Sequence, residues 1–111
     1  MSEHDWEIFS FDELSAKVEG TEPRVHEFIR SPALSCMVYR LPAGSTDMQA
    51  PHLEDEVYFV LSGRAKLRVA GHEREVGPGK ILFIRATLAH SFFDIEEDLT
   101  VVAVFGAQVR R

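Results

Sequence analysis

In the stretch Pro51-His52-Leu53-Glu54-Asp55-Glu56, one imidazole and three carboxyls stand directly before Val57-Tyr58-Phe59-Val60-Leu61, a run as apolar as a buried strand. Ionisable groups at the mouth of such a strand carry a desolvation cost unless something pairs with them. Glu56 shares a strand face with Tyr58 and Val60, because side chains alternate with period two. His52, four residues earlier and just after a proline, can curl back over the same mouth. His90 follows the apolar Ile81-Leu82-Phe83-Ile84 and an irregular segment, and opens His90-Ser91-Phe92-Phe93, so it too stands at a strand end. Two imidazole nitrogens and one carboxylate oxygen form a donor set suited to a divalent transition metal with open coordination positions. Such an ion would offset the desolvation of Glu56 and hold both imidazoles neutral, since its ligands must be deprotonated. Tyr58 and Phe92, on the faces of Glu56 and His90, would line the pocket behind the metal or serve simply as core aromatics.

Plainer readings stand beside this one. A histidine next to proline in a loop is commonly a surface residue, and Leu-Glu-Asp-Glu is commonly a solvated acidic turn. Glu54 and Asp55 read as a solubilising rim; the sharper alternative has one of them accepting the second ring N–H of His52. His4 in the N-terminal segment, His26 in a polar strand and His72 in a hairpin turn read as structural or exposed.

The elements that must position these groups are short. Ser10 with Glu13 three residues later forms a capping box, Phe11, Leu14 and Val18 follow at helical spacing, and Gly20 supplies a stop. From Val25 onward the sequence turns to short Val/Ile/Phe/Tyr runs punctuated by Pro and Gly. Strands are expected over 25–29, 35–41, 56–61, 65–69, 74–76, 81–84, 90–93 and 99–105. Many short strands after one early helix indicate an all-β antiparallel barrel or sandwich. The strands over 56–61 and 99–105 are apolar on both faces, so each needs a second cover outside the barrel, either the N-terminal segment or another subunit. A homodimer is the expectation.

The 111 residues, 45% hydrophobic and 27% charged, fit one globular domain. A net charge of −6 without a basic stripe argues against a nucleic-acid partner. No run approaches the length of a membrane span and the N-terminus has no leader pattern, so no membrane partner and a cytoplasmic location are expected. Cys36, the single cysteine, lies in an apolar run and reads as a small buried hydrophobe.

At the residues already singled out, the sequence resembles the cupin superfamily, in its small single-domain form. The first cupin motif, G(x)5HxH(x)3-4E(x)6G, is matched by Gly44, His52, Glu56 and Gly63, and the second, G(x)5PxG(x)2H(x)3N, by Gly79 and His90. Ala50 occupies the slot of the first histidine, Arg85 and Thr87 replace the proline and glycine of the second motif, and Asp94 replaces its asparagine. The resemblance implies a double-stranded β-helix, or jelly-roll barrel, over residues 35–106, preceded by an N-terminal segment with a short helix and an edge strand (1–34) and followed by a tail (107–111). It implies a metal held by His52, Glu56 and His90; Gln49, beside the vacant slot, could swing in as an oxygen donor, against the rule that adjacent strand residues point to opposite faces. The ion would be iron, manganese, nickel or zinc, binding a small-molecule ligand. Thr87 is expected to alter the turn before His90, because threonine tolerates positive φ far less well than glycine. Family precedent implies a metalloenzyme of dioxygenase, decarboxylase or isomerase type; the alternatives are a non-catalytic binding or sensing module and a metal-free structural domain.

Overall fold

The computed structural model describes residues 5–47 and 51–108. The Ser10 hydroxyl accepts the Glu13 amide at 3.2 Å and opens helix α1 (Phe11–Ala16), as the capping box requires. Six antiparallel strands follow: β1 (Arg24–Arg30), β2 (Leu34–Leu41), β3 (Glu54–Val69), β4 (His72–Val76), β5 (Ile81–Ile84) and β6 (His90–Gln108). Their order is β1-β2-β6-β3-β4, with β5 also paired to β3. β6 runs along nearly the whole of β3, and the sheet folds over on itself around one interior.

Eight separate strands were expected, and two pairs of them are continuous. The segments 56–61 and 65–69 join as β3 through Ser62-Gly63-Arg64, where the register against β6 slips repeatedly. Such bulges bend a strand without ending its ladder. Gly63 makes the bend feasible: φ is +95°, and a Cβ there would overlap the Asp98 carbonyl oxygen and lie 2.6 Å from Leu99 Cα. The segments 90–93 and 99–105 join as β6 past Asp94, whose φ of 49° lies in the left-handed region that Asp enters more readily than most residues. Turn-forming residues thus bend these long strands instead of terminating them.

Two apolar clusters result. Inside the barrel, Tyr58, Val60, Leu67, Phe92, Leu99 and Val101 form the main core. Outside it, Leu14 and Val18 of the helical segment cover Val38 and Val102, with Leu61 and Val104 packed alongside. At roughly 1.5–3 kcal/mol for each buried aliphatic side chain, this outer layer fastens the N-terminal segment to the sheet. It covers only part of the outer face: Phe59, Ile81 and Phe83 stay 37%, 66% and 67% exposed. Cys36 is buried, as expected, and burial raises its thiol pKa. Among the described residues no helix is long and apolar enough to cross a membrane.

Candidate metal centre

The three sequence-selected ligands converge. One donor atom from each of His52, Glu56 and His90 lies within 4.8 Å of the others. Glu56 opens the inward face of β3, His90 begins β6, and His52 sits on the loop leading into β3. His90 Nε2 stands 3.1 Å from Glu56 Oε1, and both side chains are almost wholly out of water. His52 packs edge-on against Phe105, with ring centroids 4.9 Å apart.

Donor bookkeeping at this cluster shows an arrangement that suits a cation. Glu56 is 1% exposed, yet both its carboxylate oxygens lack a hydrogen-bond donor, as does the buried His52 Nε2 for a partner of its own. His90 Nδ1 lies 3.0 Å from the Leu88 carbonyl, an acceptor, so Nδ1 carries the hydrogen. In the neutral ring Nε2 is then a lone pair facing the carboxylate. Two acceptors at 3.1 Å repel unless a positive charge lies between or beside them, either a second proton on His90 or a metal ion. Burial by itself would lower the His90 pKa. The Glu56 contact, the Leu88 carbonyl and the charges of Glu56 and Asp47 outweigh it and raise the value above the ordinary 6.5. A metal 2.0–2.2 Å from each donor needs donors no more than roughly 4.4 Å apart, so small side-chain rotations bring this set into range. The residues present fit a divalent ion.

The surrounding loops hold the candidate ligands by their backbones. The Thr87 amide donates to the His52 carbonyl at 2.7 Å. The Ala86 amide donates to Asp55 Oδ1 at 2.7 Å. Asp55 is therefore half-buried and pins the loop before His90, which corrects its reading as a solvent-facing rim; it does not meet the ring of His52 either. Glu54 is half-buried and lines the cavity. Thr87 was expected to alter its turn, but it keeps the left-handed conformation of the glycine slot, with φ at 71°.

Two contributors escaped the sequence reading. Asp47 is buried and ties loops together: Oδ2 accepts the Phe92 amide at 2.8 Å, and Oδ1 accepts the Tyr39 hydroxyl at 2.9 Å. Burial, reinforced by the Asp47 and Glu56 carboxylates, raises the Tyr39 pKa well above the usual phenol range, so this hydroxyl remains a donor. Tyr39 does carry a signal, the inward parity it shares with Met37 and Leu41 on β2; Asp47 carries none, because the Phe92 amide it accepts lies 45 residues away.

A cavity of about 350 Å³ opens onto the cluster, lined by Met37, Tyr39, Tyr58 and Phe105 together with the charged Glu27, Arg30 and Glu54. Tyr58 Oη lies 3.3 Å from His90 Nε2. Phe92 is buried behind Tyr58, edge-on at 5.1 Å between centroids. His26 is half-buried on β1 and His72 is exposed, and neither joins the cluster. Gln49, the vacant slot at Ala50, His4 and tail residues 109–111 lie outside the described residues.

Comparison with known proteins agrees with this geometry. A family model described as the cupin domain matches residues 37–105. An uncharacterized protein of Streptomyces coelicolor is 42% identical over 98 residues, covering 88% of this chain and 93% of the relative. Among solved structures, an RmlC-like cupin with a double-stranded β-helix fold from Methanocaldococcus jannaschii superposes with a TM-score of 0.76 at 12% identity, covering 94% of this chain and 93% of that one. A DMSP lyase from Ruegeria pomeroyi superposes with a TM-score of 0.74 at 23% identity, covering 81% of this chain; the match spans 49% of that enzyme's length. Similarity at these identities speaks to the fold, an all-β double-stranded β-helix.

Proposed function

The chain belongs to the cupin-domain family, and from that premise we propose that it holds a divalent transition metal on His52, Glu56 and His90 and presents it to a small molecule in the adjoining cavity. The observation that carries this reading is Glu56, 1% exposed with both oxygens lacking a donor beside an equally unpartnered His52 Nε2. An acid so placed costs several kcal/mol without a partner of opposite charge.

When bound, the ion supplies Lewis acidity and coordination positions open to ligand. The chain's own groups do the rest. Leu88 fixes the His90 tautomer and leaves Nε2 as the donor. Tyr39, held protonated and oriented by Asp47, presents an aromatic wall. The cavity volume lies at the low end of small-molecule sites, and its apolar walls suit a compact ligand with one oxygen or nitrogen donor. The reaction class that fits is small-molecule metalloenzyme chemistry of dioxygenase, decarboxylase or isomerase type. A second reading, a binding or sensing barrel, is favoured by one observation: both tyrosine hydroxyls on the wall are engaged within the protein, Tyr39 by Asp47 at 2.9 Å and Tyr58 beside His90 Nε2 at 3.3 Å.

Elemental analysis with stoichiometry tests the proposal. Purified protein, stripped and reloaded with iron, manganese, nickel or zinc, is expected to retain close to one equivalent, and a His52→Ala, His90→Ala double variant to retain none. Failure of the parent to retain any of these ions overturns the proposal. Metal-dependent loss of small phenols, keto acids or thiols separates the enzyme from the sensor, which would show saturable binding without turnover.

A further inference from the structure

The cavity beside the candidate metal centre carries an uneven charge. Beyond His52 and Glu56, its charged lining residues are Glu27, Arg30 and Glu54. The first two cancel: Arg30 Nε and Nη2 donate to the two Glu27 carboxylate oxygens at 2.7 and 3.0 Å. Glu54 is left over. It is half-buried against the same cavity, and among the described residues no base or hydrogen-bond donor meets its carboxylate.

The walls favour the same sign of ligand. Tyr39 gives its hydroxyl hydrogen to Asp47 at 2.9 Å, so it has only a lone pair and its ring face left to offer. Aromatic rings from Tyr39, Tyr58 and Phe105 together with an unpaired carboxylate make surroundings that attract a cation. At the metal the sign is opposite. A divalent ion on two neutral imidazoles and the one carboxylate of Glu56 keeps one positive charge unmatched. Glu54 and Glu56 stand two residues apart on β3, a span of roughly 6–7 Å along a strand.

We propose that the cavity takes a compact zwitterion, an ω-amino acid in chemical class, with its carboxylate toward the metal and its ammonium toward Glu54. The assignment rests on the metal-centre reading and adds to it the polarity of the ligand. Glu54 acts in it as a specificity residue. A ligand with a second carboxylate would have to draw Arg30 away from Glu27 and would meet the unpaired charge of Glu54. A ligand ending in a methyl group would leave that charge without a partner.

Isothermal titration calorimetry on the zinc-loaded full chain tests this with four acids of equal reach: 4-aminobutanoate, 4-hydroxybutanoate, pentanoate and glutarate, each with homologues one carbon shorter and longer. Metal content is measured on the same samples. The amino acid of best length is expected to bind at least about tenfold more tightly than its methyl and dicarboxylate counterparts, as a hydrogen bond to a charged group warrants. Glu54→Gln should keep the metal stoichiometry and bring the ammonium and methyl ligands to within about threefold of each other. Glu54→Lys should reverse the order in favour of the dicarboxylate. Circular dichroism checks that both variants are folded. Equal affinity across the series, a preference for the dicarboxylate, no binding by any member, or an ammonium preference that survives Glu54→Gln overturns the proposal, and a retained equivalent of metal in those samples leaves the metal centre standing. A parent that holds no metal overturns both.

Discussion

Replacing Thr87 by glycine should make the protein more stable, although it removes a side chain and adds no contact. Thr87 has φ at 71°, where a β-branched residue is a true outlier. A residue with a Cβ costs roughly 1–2 kcal/mol in the left-handed region. Glycine recovers that cost but gives up roughly 0.5–1 kcal/mol through the greater freedom of its unfolded state. The net is a gain of about 0.5–1 kcal/mol, or roughly 3–6 °C in Tm for a domain near this size. Thr87 is exposed, so little packing is lost, and its amide bond to the His52 carbonyl is a backbone interaction that glycine keeps. Metal affinity should accordingly not fall. Urea unfolding of the parent, Thr87→Gly and Thr87→Ala gives the decisive ranking. Alanine keeps a Cβ in the same backbone region and should stay within about 0.5 kcal/mol of the parent. A glycine variant no more stable than the alanine variant would refute the strain argument and indicate that the threonine side chain has a stabilising role of its own.

Gly63→Ala should cost at least about 3 kcal/mol or abolish folding, because the new methyl meets the backbone of Asp98 and Leu99 rather than a side chain that can move; soluble yield and unfolding midpoint report it. Asp55→Ala leaves the Ala86 amide without its acceptor, and should cost roughly 1–3 kcal/mol and weaken metal retention several-fold, read by denaturation and by competition with a chelator. For metal-free protein the pH dependence follows from the raised His90 pKa. The folded value lies above the unfolded value, so the stabilising term is fully present below about pH 6.5 and is lost as pH rises through the raised value. Metal binding requires neutral His90 and reverses the trend, so Tm against pH with and without chelator should show opposite slopes. His90→Gln should flatten both.

How much of this was legible in the sequence depended on the range of the interaction concerned. The helix cap, the strand faces and the step from His52 to Glu56 are set within a few residues, and the fold repeats them. His90 was readable because it opens an apolar run after an irregular segment. The continuity of β3 and β6 was not, since Gly63 and Asp94 serve equally well to end a strand or to bend one, and only the passage of Asp98 and Leu99 past Gly63 decides. Asp55 was misjudged for the same reason. Its parity and charge suggest solvent, and nothing near it in sequence shows that an amide 31 residues later requires an acceptor.

These long-range bonds also account for a strained threonine beside a site that needs accuracy. Thr87 donates to the His52 carbonyl, Ala86 to Asp55, Phe92 to Asp47, and the Leu88 carbonyl receives the His90 ring hydrogen. Each bond ties the stretch over 85–92 to another segment or orients His90 directly, so that stretch is over-determined. A backbone angle that costs roughly 1–2 kcal/mol persists only under such redundancy. The same redundancy couples loop order to the metal centre. An ion on His52, Glu56 and His90 would cross-link the segments these bonds already hold, and its binding energy would appear as stability of the folded barrel. Loosening any one bond should therefore reach the metal through the loop even where no ligand is touched.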